Sequence, residues 1–296
     1  MSDFFRNLAE DLKDEDTSIA ADGMGSAEYT GTVDTGSYIL NAVMSGSIYG
    51  GVPNNKITAF AGETTTGKTF FALAVVKQFL IDNPTGGVVY YDTEAAVTKE
   101  MMESRGIDTQ RIILSEPQSI QQFRTHAVKV LDEYEKTAEG KRPPMMMVLD
   151  SLGILSSEKE LADTAAGNDT RDMTKAQLIR GTFRVLTLKL AKLKVPMIVT
   201  NHVYEVIGSY IPMKEMGGGS GLKYAASTIA FLSKKKERDG KEVVGSIIKV
   251  KMFKSRLSKE NQEVELDAVE GYVKNKFSYG GEVDDRTDDT EQSDSE

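Results

Sequence analysis

The segment Gly62-Glu63-Thr64-Thr65-Thr66-Gly67-Lys68-Thr69 matches G-x-x-x-x-G-K-[ST] at every fixed position. Such spacing cradles phosphates for physical reasons. The glycines let successive backbone N–H groups turn inward around a β-phosphate, and a helix starting behind them adds unpaired N–H donors and the positive end of its dipole. Lys68 then places a charge near the β- and γ-phosphates, while the Thr69 hydroxyl suits Mg²⁺. Phe70 completes the stretch expected to contact nucleotide.

Hydrolysis needs carboxylates as well. Asp150, in M-M-M-V-L-D-S, follows an apolar run where an acid that holds Mg²⁺ through water belongs. An Asp-Ser pair after a strand also opens ordinary turns. In V-V-Y-Y-D-T-E, Asp92 and Glu94 end another run. Two apart on a strand, they face the same side, and periodicity does not say which would orient the attacking water.

These residues need a scaffold that presents them at one edge. Residues 56–61, 88–92, 145–150 and 195–201 read as strands, and the first, third and fourth are almost continuously apolar, as in a parallel sheet covered on both faces. Helices are expected at about 69–82, 119–136 and 171–194. In the second, Ile120, Phe123, Ala127, Val130, Leu131 and Tyr134 form one stripe, with His126 beside it as a surface or hydrogen-bonded histidine. The alternation predicts an α/β doubly wound domain. Residues 228–233 and 246–252, around Asp239-Gly240, read as a hairpin. Phe4, Phe5, Leu8 and Leu12 predict a short amphipathic helix over 2–13, followed by a polar linker over 14–36 and a helix around Ile39, Leu40, Val43 and Met44.

The 296 residues contain no Cys and two His, which excludes disulfide scaffolds, thiol catalysis and most zinc sites. No apolar run approaches the ~20 residues of a membrane span, and the N-terminus carries no export or import signal. A cytosolic protein without a membrane partner is expected. The net charge of −9 is concentrated at the ends: residues 1–23 carry −5 and residues 282–296 carry −7, leaving +3 on the 258 residues between. The last fifteen residues have one aliphatic and no aromatic side chain, too few to offset ordering entropy. They read as a disordered acidic tail, either a solubilising end or a competitor with DNA for a basic surface.

The ordered set G-E-T-T-T-G-K-T, Y-Y-D-T-E-A-A-V, M-M-M-V-L-D-S-L-G, V-T-N-H-V-Y-E, M-G-G-G-S-G-L-K-Y-A-A-S and K-V-K-M-F-K-S-R-L resembles the core of RecA-type recombinases, their phage branch in particular, over roughly residues 34–276. The resemblance implies an α/β RecA-type P-loop ATPase core with a mostly parallel sheet, using ATP and Mg²⁺. It puts Glu94 in the catalytic role and Asp150 in the Mg²⁺-linked one. It makes His202, after Asn201, the γ-phosphate sensor, where bacterial members carry glutamine. It also implies two DNA-binding loops: 156–170, with Gly167, and 203–221, ending in Gly217-Gly218-Gly219. Tyr204, Tyr210 and Lys214, with apolar Ile207, Ile211 and Met213, suit stacked bases and phosphates. The same composition alone also fits a plain surface loop. Arg171 and Arg180, on the helix that follows the first loop, suit phosphate contacts or a solvated helix face. Lys254 and Arg256 match the basic pair that RecA proteins project into a neighbouring subunit's ATP site, an arginine-finger device. Strand alternation puts both on one face, and an exposed basic edge is the plain alternative.

Two departures stand out. Met101 occupies a position where relatives often have an aromatic near the adenine. Beyond residue 276 only the acidic tail follows, so the folded C-terminal domain that gathers duplex DNA in bacterial RecA is expected to be missing. The chain divides into an N-terminal helix and linker for subunit contact (1–33), the ATPase core (34–281) and the tail (282–296). The expected activity is DNA-dependent ATP hydrolysis by a filament on single-stranded DNA, with duplex DNA as the second strand-exchange partner. Single-strand-binding and mediator proteins are further partners. The rivals are a RecA-fold replicative helicase and a signalling ATPase or P-loop kinase.

Overall fold

The computed structural model describes residues 3–12, 19–22, 28, 31–168, 172–205, 214–218, 220–240, 242–269 and 272–275. In chain order the elements are α1 (Asp3–Leu12), β1 (Thr32–Val33), α2 (Tyr38–Ser45), β2 (Val52–Pro53), β3 (Ile57–Gly62), α3 (Lys68–Asp82), β4 (Gly87–Asp92), α4 (Lys99–Glu103), β5 (Ile112–Ser115) and α5 (Ile120–Lys136). Then follow β6 (Met145–Asp150), α6 (Glu158–Ala165), α7 (Lys175–Leu193), β7 (Met197–Glu205), β8 (Lys214–Met216), α8 (Ser220–Ala225), β9 (Thr228–Asp239), β10 (Glu242–Ser255), β11 (Glu263–Val269) and β12 (Tyr272–Asn275).

One large sheet runs in the order β12-β11-β10-β9-β3-β7-β6-β4-β5, with β8 paired to β7. From β9 through β3, β7, β6 and β4 to β5 every neighbour is parallel, and β9 to β12 are antiparallel. The mostly parallel sheet flanked by helices is the expected RecA-type α/β core.

Period-2 alternation sorts the buried residues into two layers. Phe60, Val88, Tyr90, Met146, Val148 and Ile198 pack with α2 and α3 on one face. Ala59, Val89, Tyr91, Met147, Leu149 and Val199 pack with α5 and α7 on the other. Each central strand is therefore apolar on both sides, which explains its unbroken hydrophobic run.

Several boundaries differ from the sequence reading. The fourth core strand begins at Met197 and runs on to Glu205. Pro196 has no N–H to donate and takes part only as an acceptor, its carbonyl bonded by Met147 N (3.0 Å), and β8 supplies partners beyond the sheet edge. The helix expected from 171 starts at Lys175, and residues 169–171 lie outside the described residues. The hairpin is longer than expected: β9 pairs with β10 from Thr228↔Ser255 up to Asp239↔Glu242, through two bulges. Strands β1, within the expected linker, β2, β5, β8, within the second candidate loop, β11 and β12 have no counterpart in the sequence reading.

Candidate functional site

The phosphate loop leaves the C-terminal end of β3 and runs straight into α3. Gly67 caps α3 in a left-handed conformation (φ 92°), and a Cβ there would lie 3.0 Å from Ile248 Cδ1. Glycine meets both demands without strain. Thr66 Oγ1 donates to Glu63 O at 2.8 Å, closing the loop on itself. Lys68 Nζ donates to the carbonyls of Gly62 (3.1 Å) and Glu63 (2.8 Å). Burial lowers the lysine pKa, opposed by the charges of Glu94 and Asp150, so both acids bear on this ammonium. Thr64 and Thr65 lie at the loop apex, Thr65 at φ 65°, and Thr69 and Phe70 form the first turn of α3.

Asp150 ends β6 and is buried between two strands that grip it. Tyr90 Oη, on β4, donates to Oδ2 at 2.8 Å, and Thr200 Oγ1, on β7, donates to Oδ1. Burial first, and then the Asp150 charge, push the Tyr90 phenol pKa well above its ordinary value, so it is a donor at any working pH. The Asp150–Ser151 peptide bond is cis. Thr93 ties down the next residue: its N–H donates to Asp150 O, and its hydroxyl both donates to Ser151 O and accepts from Ser151 N, all at 2.8 Å.

The two acids that sequence periodicity left equal have different surroundings. Asp92 is buried, and its carboxylate accepts from Glu94 N (3.0 Å) and Val97 N (2.9 Å). It is spent on shaping the loop. Glu94 leaves the strand and turns back, where its Oε1 accepts from Ser151 Oγ (2.6 Å) and His202 Nε2 (3.0 Å). Burial would raise the Glu94 pKa, but these two hydrogen bonds, with the charges of His202 and Lys68, hold it below the ordinary carboxylate value. Among the described residues nothing donates to Oε2.

The oxygens on offer suit Mg²⁺. Among the described residues no group of three or more His, Cys, Asp or Glu could hold a metal. One or two carboxylates with substrate phosphates are what this ion uses, a set that Asp150, with the Thr69 hydroxyl and the loop, would supply.

His202 and Asn201 are consecutive on β7, so their side chains leave opposite faces. His202 turns to Glu94. Asn201 turns to the second candidate loop, where Nδ2 donates to Gly217 O (2.9 Å) while Gly217 N donates to His202 O (2.9 Å). Asn201 Oδ1 is buried without a partner among the described residues. The glycines permit this closeness: a Cβ on Gly217 would lie 2.9 Å from the Tyr204 ring, one on Gly218 (φ 80°) 2.8 Å from Ile179, and one on Gly221 2.9 Å from Arg180 N. Tyr204 is exposed, and Arg180 Nη2 donates to Ser220 Oγ at 3.1 Å. Lys214 pairs with Glu205 through its backbone. Tyr210, Ile211, Gly219 and Arg171 lie outside the described residues.

Part of the first candidate loop, 156–170, is helical. Eight of its residues form α6, started by a capping box in which Ser157 Oγ accepts from Glu160 N and the Glu160 carboxylate accepts from Ser157 N. The signal was present as S-x-x-E at 157–160. Gly167 follows α6 at φ 74° with open space around it.

Lys254 and Arg256 sit far from this chain's own phosphate loop. Ser255 pairs with Thr228, which pairs with Thr58, at the opposite end of β3 from the loop. Four residues of strand are roughly 13 Å. Lys254 Nζ donates to the carbonyls of Lys223 (2.8 Å), Tyr224 (3.3 Å) and Ala226 (2.6 Å), closing the end of α8, while Arg256 is exposed. Burial, then the Arg256 charge, lower the Lys254 pKa. Met101 packs against the α3-side core. His126 Nδ1 shares a 3.0 Å hydrogen bond with Tyr91 Oη.

Sequence reasoning passed over Tyr90, Thr200, Thr93 and the role of Ser151. Strand parity placed Tyr90 on the Asp92 face, but which strand lay alongside was not legible. No described helix is long and apolar enough to cross a membrane.

Comparison with known proteins identifies the family. The RecA N-terminal domain model matches residues 12–273. The recombination and repair protein of Enterobacteria phage T4 is 31% identical over 229 residues, 77% of this chain and 57% of that protein. Protein RecA of Bacteroides thetaiotaomicron is 26% identical over 90% of this chain and 76% of its own length, and that of Agrobacterium fabrum 28% over 81% and 62%. The chain thus spans little more than half of the phage relative. With the phosphate loop, the gripped aspartate and the histidine-bound glutamate in one fold, the chain belongs to the RecA N-terminal domain family.

Proposed function

We propose that the chain is an ATP-dependent recombinase that forms filaments on single-stranded DNA and promotes homologous pairing and strand exchange in recombination, repair and recombination-dependent replication. The observation that carries this reading is the continuous link from Glu94 through His202 and Asn201 to Gly217. It joins the group that would orient water to the start of a glycine run beside an exposed tyrosine.

In this reading the loop N–H groups and Lys68 hold the phosphates, and Thr69 and Asp150 hold Mg²⁺, which when bound neutralises charge developing on the phosphoryl group. Glu94 keeps Oε2 for the attacking water because Ser151 and His202 occupy Oε1. A γ-phosphate beside His202 would compete for its N–H, and the backbone of residues 201–202 would pass the change to Gly217. Tyr204, Tyr210, Ile211, Lys214 and the glycines would then receive DNA, with Gly167, Arg171 and Arg180 adding contacts. Single-stranded DNA is the first partner and duplex DNA the second.

Self-assembly is supported by two features. The distance of Lys254 and Arg256 from the chain's own loop suits action across an interface. In addition, α1 exposes Phe4, Phe5, Leu8 and Leu12, an apolar face fitted to a neighbouring copy. Single-strand-binding and mediator proteins are further proposed partners. The test is ATP turnover with and without single-stranded DNA: the native chain should be stimulated, and Lys68→Ala and Asp150→Ala should lose hydrolysis. Retained DNA-dependent turnover in either variant would refute the assignment.

A further inference from the structure

Adjacent tyrosines on β4 do different things. Tyr91 faces the α5 side, where it meets Phe123 edge-on (5.0 Å between centroids) and shares its hydroxyl with His126. Tyr90 faces the α3 side, is fully buried, and directs its hydroxyl to Asp150 Oδ2 at 2.8 Å. Thr200 supplies the matching donor to Oδ1 from the strand on the other side of β6. The carboxylate is thus held between β4 and β7, with one neutral O–H on each oxygen. Two fixed donors set both the tilt and the rotation of the carboxylate plane, which one donor would leave free.

We propose that Tyr90 is a positioning residue for the metal-holding acid: its hydroxyl fixes the face that Asp150 presents to Mg²⁺, with Thr200 as its counterpart. The inference rests on the ATP–Mg²⁺ reading of this site. In this reading Tyr90, fully buried with its hydroxyl on Asp150 Oδ2, would act through Asp150 alone. Outer-shell hydrogen bonds of this kind typically govern metal affinity by 10- to 100-fold. A phenylalanine at 90 would keep the ring in its place against Val88, Met146 and Val148 and remove only the donor.

The test uses the full-length chain and a fluorescent ATP analogue. Its affinity is measured in EDTA and then across a Mg²⁺ titration, for the native chain, Tyr90→Phe, Thr200→Val and Tyr91→Phe. The expected result is a rise of about 10-fold in half-saturating Mg²⁺ for Tyr90→Phe and a similar rise for Thr200→Val. Affinity in EDTA should be unchanged, and Tyr91→Phe, which removes a hydroxyl from an equally buried side chain on the other face, should titrate like the native chain. An unshifted Mg²⁺ titration in Tyr90→Phe would overturn the proposal. So would an equal loss of affinity with and without Mg²⁺, which would make the phenol a packing group. If the native chain's affinity did not respond to Mg²⁺ at all, the ATP–Mg²⁺ reading would fall and this inference with it.

Discussion

His202 Nε2 donates to Glu94 Oε1 at 3.0 Å, joining two residues 108 positions apart, one just beyond β4 and the other on β7. Ser151 Oγ donates to the same oxygen. One carboxylate oxygen is therefore committed to the protein, and the acid's position depends on both neighbours. A change at His202 must be felt at Glu94, and the converse.

The two candidate acids should separate by what they break. Glu94→Gln should bind ATP and still form filaments, with hydrolysis reduced by about 100-fold or more, the usual weight of a positioned general base. Asp92→Asn should impair folding of the 92–97 loop, because an amide cannot accept from both Glu94 N and Val97 N as the carboxylate does. Single-turnover hydrolysis and urea unfolding measured on both variants decide it. Blocked hydrolysis in Asp92→Asn with unaffected hydrolysis in Glu94→Gln would reverse the assignment.

The basic pair should also divide. Arg256, exposed, should on substitution by Ala leave nucleotide binding in the isolated subunit intact and remove stimulation by single-stranded DNA. Lys254→Ala should do the same and in addition destabilise the chain by about 1–3 kcal/mol, since the carbonyls that end α8 lose their donor. Equal loss of nucleotide affinity in the isolated subunit would place the pair in cis.

How much of this was legible depended on how local the chemistry is. The phosphate loop could be read because its glycines, lysine and threonine act within eight residues. The central strands could be read because burial on both faces leaves an unbroken apolar run. Asp92 and Glu94 could not be separated by spacing, since the distinction lies in hydrogen bonds closed by a turn, by Ser151 just beyond β6 and by His202 on β7. Strand β5 escaped because it is four residues long at the sheet edge, with Ile113 and Leu114 exposed. Strand β11, E-V-E-L-D-A-V, does alternate, and its signal was available. Reading 156–170 wholly as a loop let the resemblance outweigh the capping box at Ser157.

That box gives a pH prediction. Asp172 accepts from Ser157 Oγ (2.6 Å) and from Thr174 N and Oγ1, and these bonds, the Ser157 one foremost, bring its pKa down to about 2. A lowered carboxylate pKa contributes stability that is present above the unfolded value, near 3.8, and lost as pH falls toward 2. Ser157→Ala should cost about 1 kcal/mol at neutral pH through the lost cap. The stability gap between the native chain and Asp172→Asn should narrow between pH 4 and about 2. Urea unfolding over that range checks it, and a gap independent of pH would contradict it.

Residues 282–296 lie outside the described structure, but their −7 carries its own expectation. Their deletion should strengthen DNA binding most at low salt and for duplex DNA, because a tethered acidic tail competes with phosphate at high local concentration. Affinities for both DNA forms across a salt series measure this. Identical curves for intact and truncated chains would leave the tail a solubility device.

The most direct test of the central claim is electron microscopy of the chain with single-stranded DNA and a non-hydrolysable ATP analogue. Continuous helical filaments with the analogue, absent without nucleotide and absent for Lys68→Ala, are the predicted result. Duplex unwinding by discrete particles that never form filaments would contradict it.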